Sequence, residues 1–489
     1  MRPNILFILS DDQGAWAMRC AGNPDIITPN LDRLASQGVR FENFYCVSPV
    51  CSPARASIIT GEIPSCHGVQ DWLSKGNMNT ENHPYMKDHP HFKNPDMPIE
   101  YLAGHPSYIA ELAKSGYRCA LSGKWHLGNQ EQPKEGFEKW FTISSGGCPY
   151  YAPDFFEDGK FTYSREYVTD AITNRALDYL DDLKQGDAPF CLQVHYTAPH
   201  SPWSPENHPA EYLDMYRDCG FTATPDEPVH RNQIWSAPVG DTPEKRRENL
   251  AGYYAAITAM DANIGRLLDK LEKDGLAENT VVIFTADNGM NMGHHGVWGK
   301  GNGTYPPNMY DSSVKVPFII RAPFIVEPGA VAGKNANHCD LFPTLMDIAG
   351  AEYTLTDKQP GMSLLPYLQG NCKDNGSRYV EIHDEYGFVR MIRGERYKLV
   401  KRYTDHEDEL YDMIADPGET RNLIDDPACA AVVAELNEAL EAWFDRYSDP
   451  SNDGRKAVTL TGSGQRDLCT APDAFVNQNT MYYTGKKPF

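Results

Sequence analysis

Residues 4–14 read NILFILSDDQG. The apolar run Ile5 to Leu9 is short and unbroken, the pattern of a strand buried inside a sheet, and two aspartates close it at once. Such a strand needs helices packed over it, and the chain that follows supplies them in alternation with further short apolar runs. Residues 28–38, TPNLDRLASQG, read as a helix with Thr28 as cap, Pro29 at the first position and Gly38 as stop. SYIAELAKSG is a helix feeding the strand YRCALSG (117–123), and PFCLQVHYT (189–197) is another strand. Over 244–274 the residues Leu250, Tyr254, Ile257, Ile264, Leu268 and Leu271 recur at helical spacing as a stripe facing a core. The strand TVVIFTADNG begins after Gly275, and VKVPFIIRAP (314–323) reads as one more.

The texture changes near Arg378. RYVEIHD, GFVRMIRG and RYKLVKRY read as antiparallel strands, followed by a helix at 427–447. The expected architecture is therefore α/β: a large mixed, mostly parallel sheet sandwiched by helices over residues 1–375, a smaller C-terminal α+β domain on an antiparallel sheet over 376–448, and an irregular tail over 449–489. The loop from about 70 to 107, with His83, His89, His91 and His105, is too long for a bare connection and is expected to border a binding site.

Composition narrows the partners. The chain has 489 residues, 41% hydrophobic and 23% charged, which is ordinary for a globular protein with a large core. Forty-five basic residues against 67 acidic ones leave a formal charge of −22, which argues against nucleic acid and against an anionic membrane surface. An anionic small molecule would have to be drawn in by local cations or a metal. Twelve cysteines are too sparse for a disulfide scaffold and form no Cys-x-x-Cys pair, which fits a reducing compartment. The N-terminal apolar run ends at aspartates rather than at a cleavage site, and no segment approaches the roughly 20 apolar residues of a membrane span. The expectation is a cytoplasmic protein without a membrane partner.

Polar residues just past the strands carry the chemistry, because open α/β sheets bind ligands at the carboxyl ends of their strands. Asp11 and Asp12 follow the first strand; Asp287 and Asn288 follow TVVIFTA. Each pair taken alone is equally well read as a cap for the next helix. Two such pairs at equivalent strand ends favour a cation, and the all-oxygen donor set suits calcium or magnesium. Lys124 and His126 lie in SGKWHLG, His200 in HYTAPHSPW, and Lys300 in GHHGVWGKGNG, again after strands. Singly these are ordinary surface or structural groups.

Residues 48–61, SPVCSPARASIITG, put Cys51 where a helix begins, with Ser52 expected as N-cap, Pro53 as first helical residue, Ala54 to Thr60 as two turns and Gly61 as stop. Two readings fit Cys51: a thiol packed in the core, or a reactive group facing an anion at the helix mouth, with Arg55 one turn in. Taken with the lysines, histidines and carboxylates, the second reading describes a site for an ester of a tetrahedral oxyanion.

The stretch PVCSPARASIITG matches throughout the signature of the type I sulfatases, whose Cys-x-Pro-x-Arg cysteine is oxidised after translation to formylglycine. GYRCALSGKWHLG resembles the second signature of that family, departing only at Cys119, where Ser or Thr is usual; the position lies inside a strand. PNILFILSDDQG, APHSPW, TADNG and WGKG are similar to the family's metal and charge-shell segments in the same order, and the resemblance spans roughly residues 3 to 325. It implies an alkaline-phosphatase-like fold and a formylglycine hydrate made from Cys51, one hydroxyl attacking sulfur and the other expelling sulfate. It further implies Ca2+, with Mg2+ the lesser candidate, held by Asp11, Asp12, Asp287, Asn288 and the residue at Cys51. Arg55 and Lys124 would hold the hydrate, Asp287 would act as base, His200 with Lys300 would serve the leaving alkoxide, and His126 would take the second hydroxyl's proton.

The implied partners are a formylglycine-generating maturation enzyme and a small sulfated substrate, by preference a glycosaminoglycan- or mucin-type sugar. Asp71, Trp72 and Trp203 are candidates to flank its ring, and each is equally readable as a core or rim residue. The rivals are a phosphonate monoester or phosphodiester hydrolase of the same superfamily, an aryl or choline sulfatase, and, in a different class, an unmodified anion- or glycan-binding protein. A two-zinc phosphatase is disfavoured, because the carboxylate set lacks the histidines zinc prefers.

Overall fold

The two faces of the first strand, β1 (Asn4–Ser10), are buried in different cores. Ile5, Phe7 and Leu9 enter one cluster with residues of the Cys51–Thr60, Tyr108–Lys114 and Leu341–Ala349 helices. Leu6 and Ile8 enter the other, with residues of the Pro29–Gln37, Val168–Leu183 and Pro243–Lys273 helices. This period-two split with apolar side chains on both sides is why the strand reads as a continuous hydrophobic run. The computed structural model describes residues 2–83, 96–235, 237–370, 382–457 and 464–475.

The remaining strands of the large sheet are β2 (Val39–Tyr45), β3 (Arg118–Gly123), β4 (Phe137–Ile143), β5 (Asp154–Glu157), β6 (Lys160–Tyr163), β7 (Phe190–His195), β8 (Thr280–Ala286), β9 (Phe318–Arg321) and β10 (Ala330–Asn337). The ten strands stand in the order β10-β2-β9-β8-β1-β7-β3-β4-β5-β6. The central five, β8-β1-β7-β3-β4, are parallel, whereas β9 runs antiparallel to both of its neighbours. Ser10 pairs with Ala286, Leu9 with His195, and His195 with Gly123, so four strands end side by side on one edge. The second sheet is antiparallel, in the order β11 (Ile382–Tyr386), β12 (Val389–Arg393), β13 (Tyr397–Arg402) and β14 (Glu409–Asp412). The Ala430–Tyr447 helix packs on it through Leu436, Leu440 and Phe444.

Most of the local expectations have counterparts, and all six stripe residues of the Pro243–Lys273 helix are buried. The helix carrying Cys51 differs. It starts at Cys51 with extended Val50 as its N-cap residue, so Ser52 and Pro53 lie inside the first turn. The Ser52 hydroxyl is occupied by the Leu73 N–H at 3.1 Å, a tertiary demand that outweighs local capping. Proline is tolerated there because first-turn N–H groups have no intrahelical acceptor. Gly61 does stop the helix, with φ +69°. Thr28 precedes its helix as expected, but its hydroxyl accepts from Arg19 N–H instead of the helix. The sequence expectations include no strand at β2, β4 or β10, nor at the four-residue β5, β6 and β14, which are too short to show a period. The expected domain boundary near 375 lies outside the described residues. No helix among the described residues is long and apolar enough to cross a membrane.

Candidate active site

The strand edge formed by β8, β1, β7 and β3 gathers the polar residues. Asp11 and Asp12 leave β1, Asp287 and Asn288 leave the adjacent β8, Lys124 and His126 leave β3, and His200 follows β7. The sheet therefore carries residues far apart in sequence to one place, as the parallel register demands. Gly123 is needed at the end of β3, where φ is +121° and a Cβ would lie 1.8 Å from the His195 carbonyl oxygen. Asp12 and His126 also have positive φ, 63° and 58°, a backbone conformation uncommon outside glycine and concentrated at functional sites.

Asp11, Asp12 and Asp287 each bring a carboxylate oxygen within 4.8 Å of the others. Lys124 Nζ lies 2.5 Å from Asp11 Oδ2, and Lys300 Nζ 2.5 Å from Asp12 Oδ1. Arg55 donates through Nε to Asp287 Oδ2 and through Nη1 to the Lys124 carbonyl, each at 2.8 Å. Asp287 Oδ1 accepts from the N–H groups of Asp12, at 3.1 Å, and Asn288, at 2.8 Å. Burial alone would raise the carboxyl groups of Asp11 and Asp12, but Lys124 beside the first and Lys300 beside the second, with His200, hold both below the ordinary range. Lys300 in turn stands above its ordinary value, since the charges facing it, Asp12 foremost, outweigh its burial.

Two buried oxygens in this cluster, Asp11 Oδ1 and Asn288 Oδ1, have no hydrogen-bond donor. Undonated buried oxygens beside three carboxylates are what a hard cation would satisfy, so the residues fit calcium or magnesium and contain no soft ligand set for zinc.

Cys51 sits at the first residue of its helix, 3% exposed, and its Sγ is 3.4 Å from His126 Nδ1. His126 Nε2 lies 3.0 Å from the Leu73 carbonyl, which can only accept, so the proton is on Nε2 and Nδ1 turns a lone pair to position 51. Burial and the nearby Lys124 hold His126 well below the usual imidazole range, in its neutral form. Burial also raises the Cys51 thiol, against the pull of Lys124 and Lys300, so it is not a ready thiolate. His200 donates from Nδ1 to the Ser201 carbonyl at 2.7 Å and points Nε2 toward Asp12 Oδ2, 3.7 Å away.

Asp12, Cys51, His126, His200 and Lys300 open into a cavity of about 880 Å³. Arg55, Lys124, Asp287 and Asn288 stand behind them, buried to 2% exposure or less. Of the three ring-flanking candidates, Trp72 lines the cavity. Asp71 does not: it is 1% exposed and accepts from the Tyr386 hydroxyl at 2.5 Å. Trp203 is fully buried, donates to the Pro199 carbonyl at 2.8 Å and packs edge-on against Tyr253. These two belong to the interior and not to the substrate face. Cys119 is buried in β3, away from the cavity.

Several lining residues carry no motif: Asn77, the segment Ser145–Pro149 and Asn207, whereas Trp298 and Asn302 lie in the GHHGVWGKGNG stretch around Lys300. Of the three without a motif, the length of the 70–107 loop signalled Asn77 alone, and residues 72–74 and 77 of that loop do border the cavity. Of the histidines in that loop, His83 pairs with Glu131 and His105 with Glu62, while His89 and His91 lie outside the described residues.

A profile of the family described as sulfatase matches residues 3–351, and a second, described as N-sulphoglucosamine sulphohydrolase, C-terminal, matches 293–445. An N-acetylglucosamine-6-O-sulfatase of Bacteroides thetaiotaomicron is 30% identical, over 94% of this chain and 89% of that one. A solved structure of a protein in complex with its substrate D-glucosamine-2-N,6-O-disulfate aligns with a TM-score of 0.74 at 28% identity, covering 91% of this chain and 98% of the other. The phosphonate monoester hydrolase of Agrobacterium radiobacter shares the fold, with a TM-score of 0.68 at 23% identity over 91% of this chain and 96% of its own.

Proposed function

Because this chain belongs to the sulfatase family and is a sulfuric ester hydrolase, we propose that its substrate is a sulfated sugar, a hexosamine carrying the ester on its primary O6, cleaved through a formylglycine made from Cys51 beside a bound calcium ion. The observation that carries this reading is the position of Cys51 at the cavity floor, Sγ 3.4 Å from a lone-pair nitrogen of His126 and surrounded by the Asp11, Asp12 and Asp287 cluster with its lysines. The choice of an O6-sulfated hexosamine is supported by the Bacteroides relative, an N-acetylglucosamine-6-O-sulfatase, and by the ligand of the glucosamine disulfate complex.

Formylglycine supplies a hydrate with two hydroxyls on one carbon, one to attack sulfur and one to release sulfate. Calcium, which Asp11, Asp12, Asp287 and Asn288 with the residue at position 51 would hold, supplies two positive charges to a cluster whose three carboxylates are already matched by Arg55, Lys124 and Lys300. The site as a whole then attracts an anionic ester despite the −22 of the chain.

The chain's own groups divide the proton work by geometry. His126 accepts a proton at Nδ1, because Nε2–H is committed to Leu73 and Nδ1 faces position 51. Asp287 takes three donors on its two oxygens, which fix the direction of its carboxylate beside Asp11 and Asp12. Lys124 and Arg55 fix positive charge beside the nucleophile. His200 and Lys300, both lining the cavity and both directed at Asp12, are placed to serve the departing sugar oxygen.

The test is sulfate release from a panel of sulfated monosaccharides, with 4-nitrophenyl sulfate, choline sulfate and a matched phosphonate monoester beside it. The expected result is a kcat/KM for N-acetylglucosamine 6-sulfate at least about tenfold above every other member, a gap of about 1.4 kcal/mol in transition-state binding. Equal or faster cleavage of the phosphonate would overturn the assignment in favour of the superfamily rival.

Calcium binding has its own readout. Titrating the metal-stripped protein with Ca2+ to a hundredfold excess over Kd should stabilise it by about 2.7 kcal/mol and raise Tm by about 2–3 °C for a chain of this length. An equal shift with Mg2+ at the same excess and similar affinity would remove the preference for calcium.

A further inference from the structure

Tail residues 464–475 are remote in sequence from every catalytic group, yet Gln465 is fully buried beside the cavity wall. Its backbone N–H donates to the Trp72 carbonyl at 2.8 Å, and its carbonyl accepts from Ser74 N–H at 2.9 Å. Its side chain accepts from Gln70 N–H at 2.8 Å and donates to the Gly68 carbonyl at 3.0 Å. The tail thus adds a short strand-like bridge to the 68–74 segment, with Leu73 and Gln465 paired in parallel. Trp72, Leu73 and Ser74 on the other side of this bridge line the cavity.

Gly464 meets the Trp72 ring itself. A Cβ at this glycine would lie 2.7 Å from indole Cε2 and 2.9 Å from both Cδ2 and Cζ2. Cε2 is a ring-fusion carbon whose in-plane directions are all bonded, so an approach this close comes over the ring face. The residue has φ +76°, which glycine adopts at no cost. With one face occupied by the tail, that face is closed to the cavity that Trp72 lines.

Asp71 locks the same junction. It receives hydrogen bonds from Trp72 N–H at 2.7 Å, from the Tyr386 hydroxyl of β11 at 2.5 Å, and from Gly464 N–H. Tyr386 in turn bonds the side chain of Asn302, another lining residue. Burial lifts the Asp71 carboxyl to about 7 in spite of these donors and of the attraction of Lys300. Such a group is kept by geometry, at the meeting point of the wall segment, the second sheet and the tail.

We infer that Trp72 is the platform on which the substrate's sugar ring stacks, and that Gly464 and Gln465 of the C-terminal tail are positioning residues that set its angle and so select pyranose substrates. Apolar C–H faces of a pyranose bury well against an aromatic face in a cavity of this kind. The inference rests on the sugar reading proposed above.

The experiment measures kcat and KM for N-acetylglucosamine 6-sulfate and for 4-nitrophenyl sulfate in the full-length converted enzyme and in Gly464→Ala, Gln465→Ala, Trp72→Ala and the Gly464→Ala/Trp72→Ala double variant. Gly464→Ala and Gln465→Ala are expected to raise KM for the sugar about tenfold with kcat within about twofold, while a Tm within a few degrees of the parent reports an intact fold. In the Trp72→Ala background the Gly464 substitution should add nothing, because the ring it displaces is gone. Turnover of the sugar with unchanged KM in both tail variants overturns the clamp while leaving the sugar reading intact. Turnover of 4-nitrophenyl sulfate with no sugar accepted by the unsubstituted enzyme overturns the sugar reading and the platform together.

Discussion

Cys51→Ala is expected to lower multiple-turnover sulfate release by about 10⁴-fold or more, the scale on which removal of a covalent nucleophile acts. The thiol itself explains little, since burial raises its pKa and no thiolate is favoured. What the position offers is a carbon at the start of a helix, beside His126 Nδ1 and under the Lys124 and Lys300 ammonium groups. An aldehyde hydrate made there has a second hydroxyl through which sulfate can leave. Cys51→Ser should therefore fail in multiple turnover almost as badly as the alanine variant, although it retains an oxygen nucleophile. Because the Cys51 side chain is small, both variants should melt within a few degrees of the parent. The tryptic peptide covering residues 41–55 in active protein should weigh less than its sequence predicts, by the difference between a thiol and an aldehyde side chain. Near-parental turnover in Cys51→Ser, or an unconverted peptide in active protein, removes the formylglycine reading.

Arg55→Ala is the second large effect, and it reaches both stability and rate. The guanidinium is 2% exposed, with Asp287 Oδ2 and the Lys124 carbonyl each at 2.8 Å and Asp11 Oδ2 at 4.0 Å. Deleting it leaves the Asp287 carboxylate buried without its fixed cation, a loss of about 3–5 kcal/mol. For a chain of this length that lowers Tm by about 3–5 °C. It also withdraws charge and orientation from the nucleophile's surroundings, which should cost about 10²–10³ in kcat. Arg55→Lys keeps the charge but cannot reach the carboxylate and the carbonyl with one planar fork, so it should recover stability better than rate. Calorimetry and steady-state kinetics on the two variants check this, and parental values of both Tm and kcat in Arg55→Ala would show that the contact is incidental.

Much of the site could be read from the linear chain, for reasons that are local. Ile5–Leu9 and Thr280–Ala286 are apolar runs ended by Asp11, Asp12, Asp287 and Asn288, and a parallel register alone is enough to bring such strand ends together. Lys124 and His126 after β3, and His200 after β7, follow the same rule. The helix at Cys51 was also visible, with its Gly61 stop, because composition and capping are short-range signals. Its first turn was not: Ser52 caps nothing, since the Leu73 N–H from 21 residues downstream takes its hydroxyl. Asp71 and Trp203 were indistinguishable by type from ring-flanking residues, and only packing against Tyr386 and Tyr253 turned them inward.

The amino-acid order by itself determined the central strands β1, β3, β7 and β8, the family signature around Cys51 and the charged residues at the strand ends, because periodicity and a parallel register act over a few residues at a time. Tertiary structure alone decided which of those groups touch, where Nδ1 of His126 points, and that a tail beyond residue 463 backs the indole of Trp72. Contacts between distant segments depend on how whole layers pack, and no local propensity encodes the depth or direction in which a side chain is finally buried.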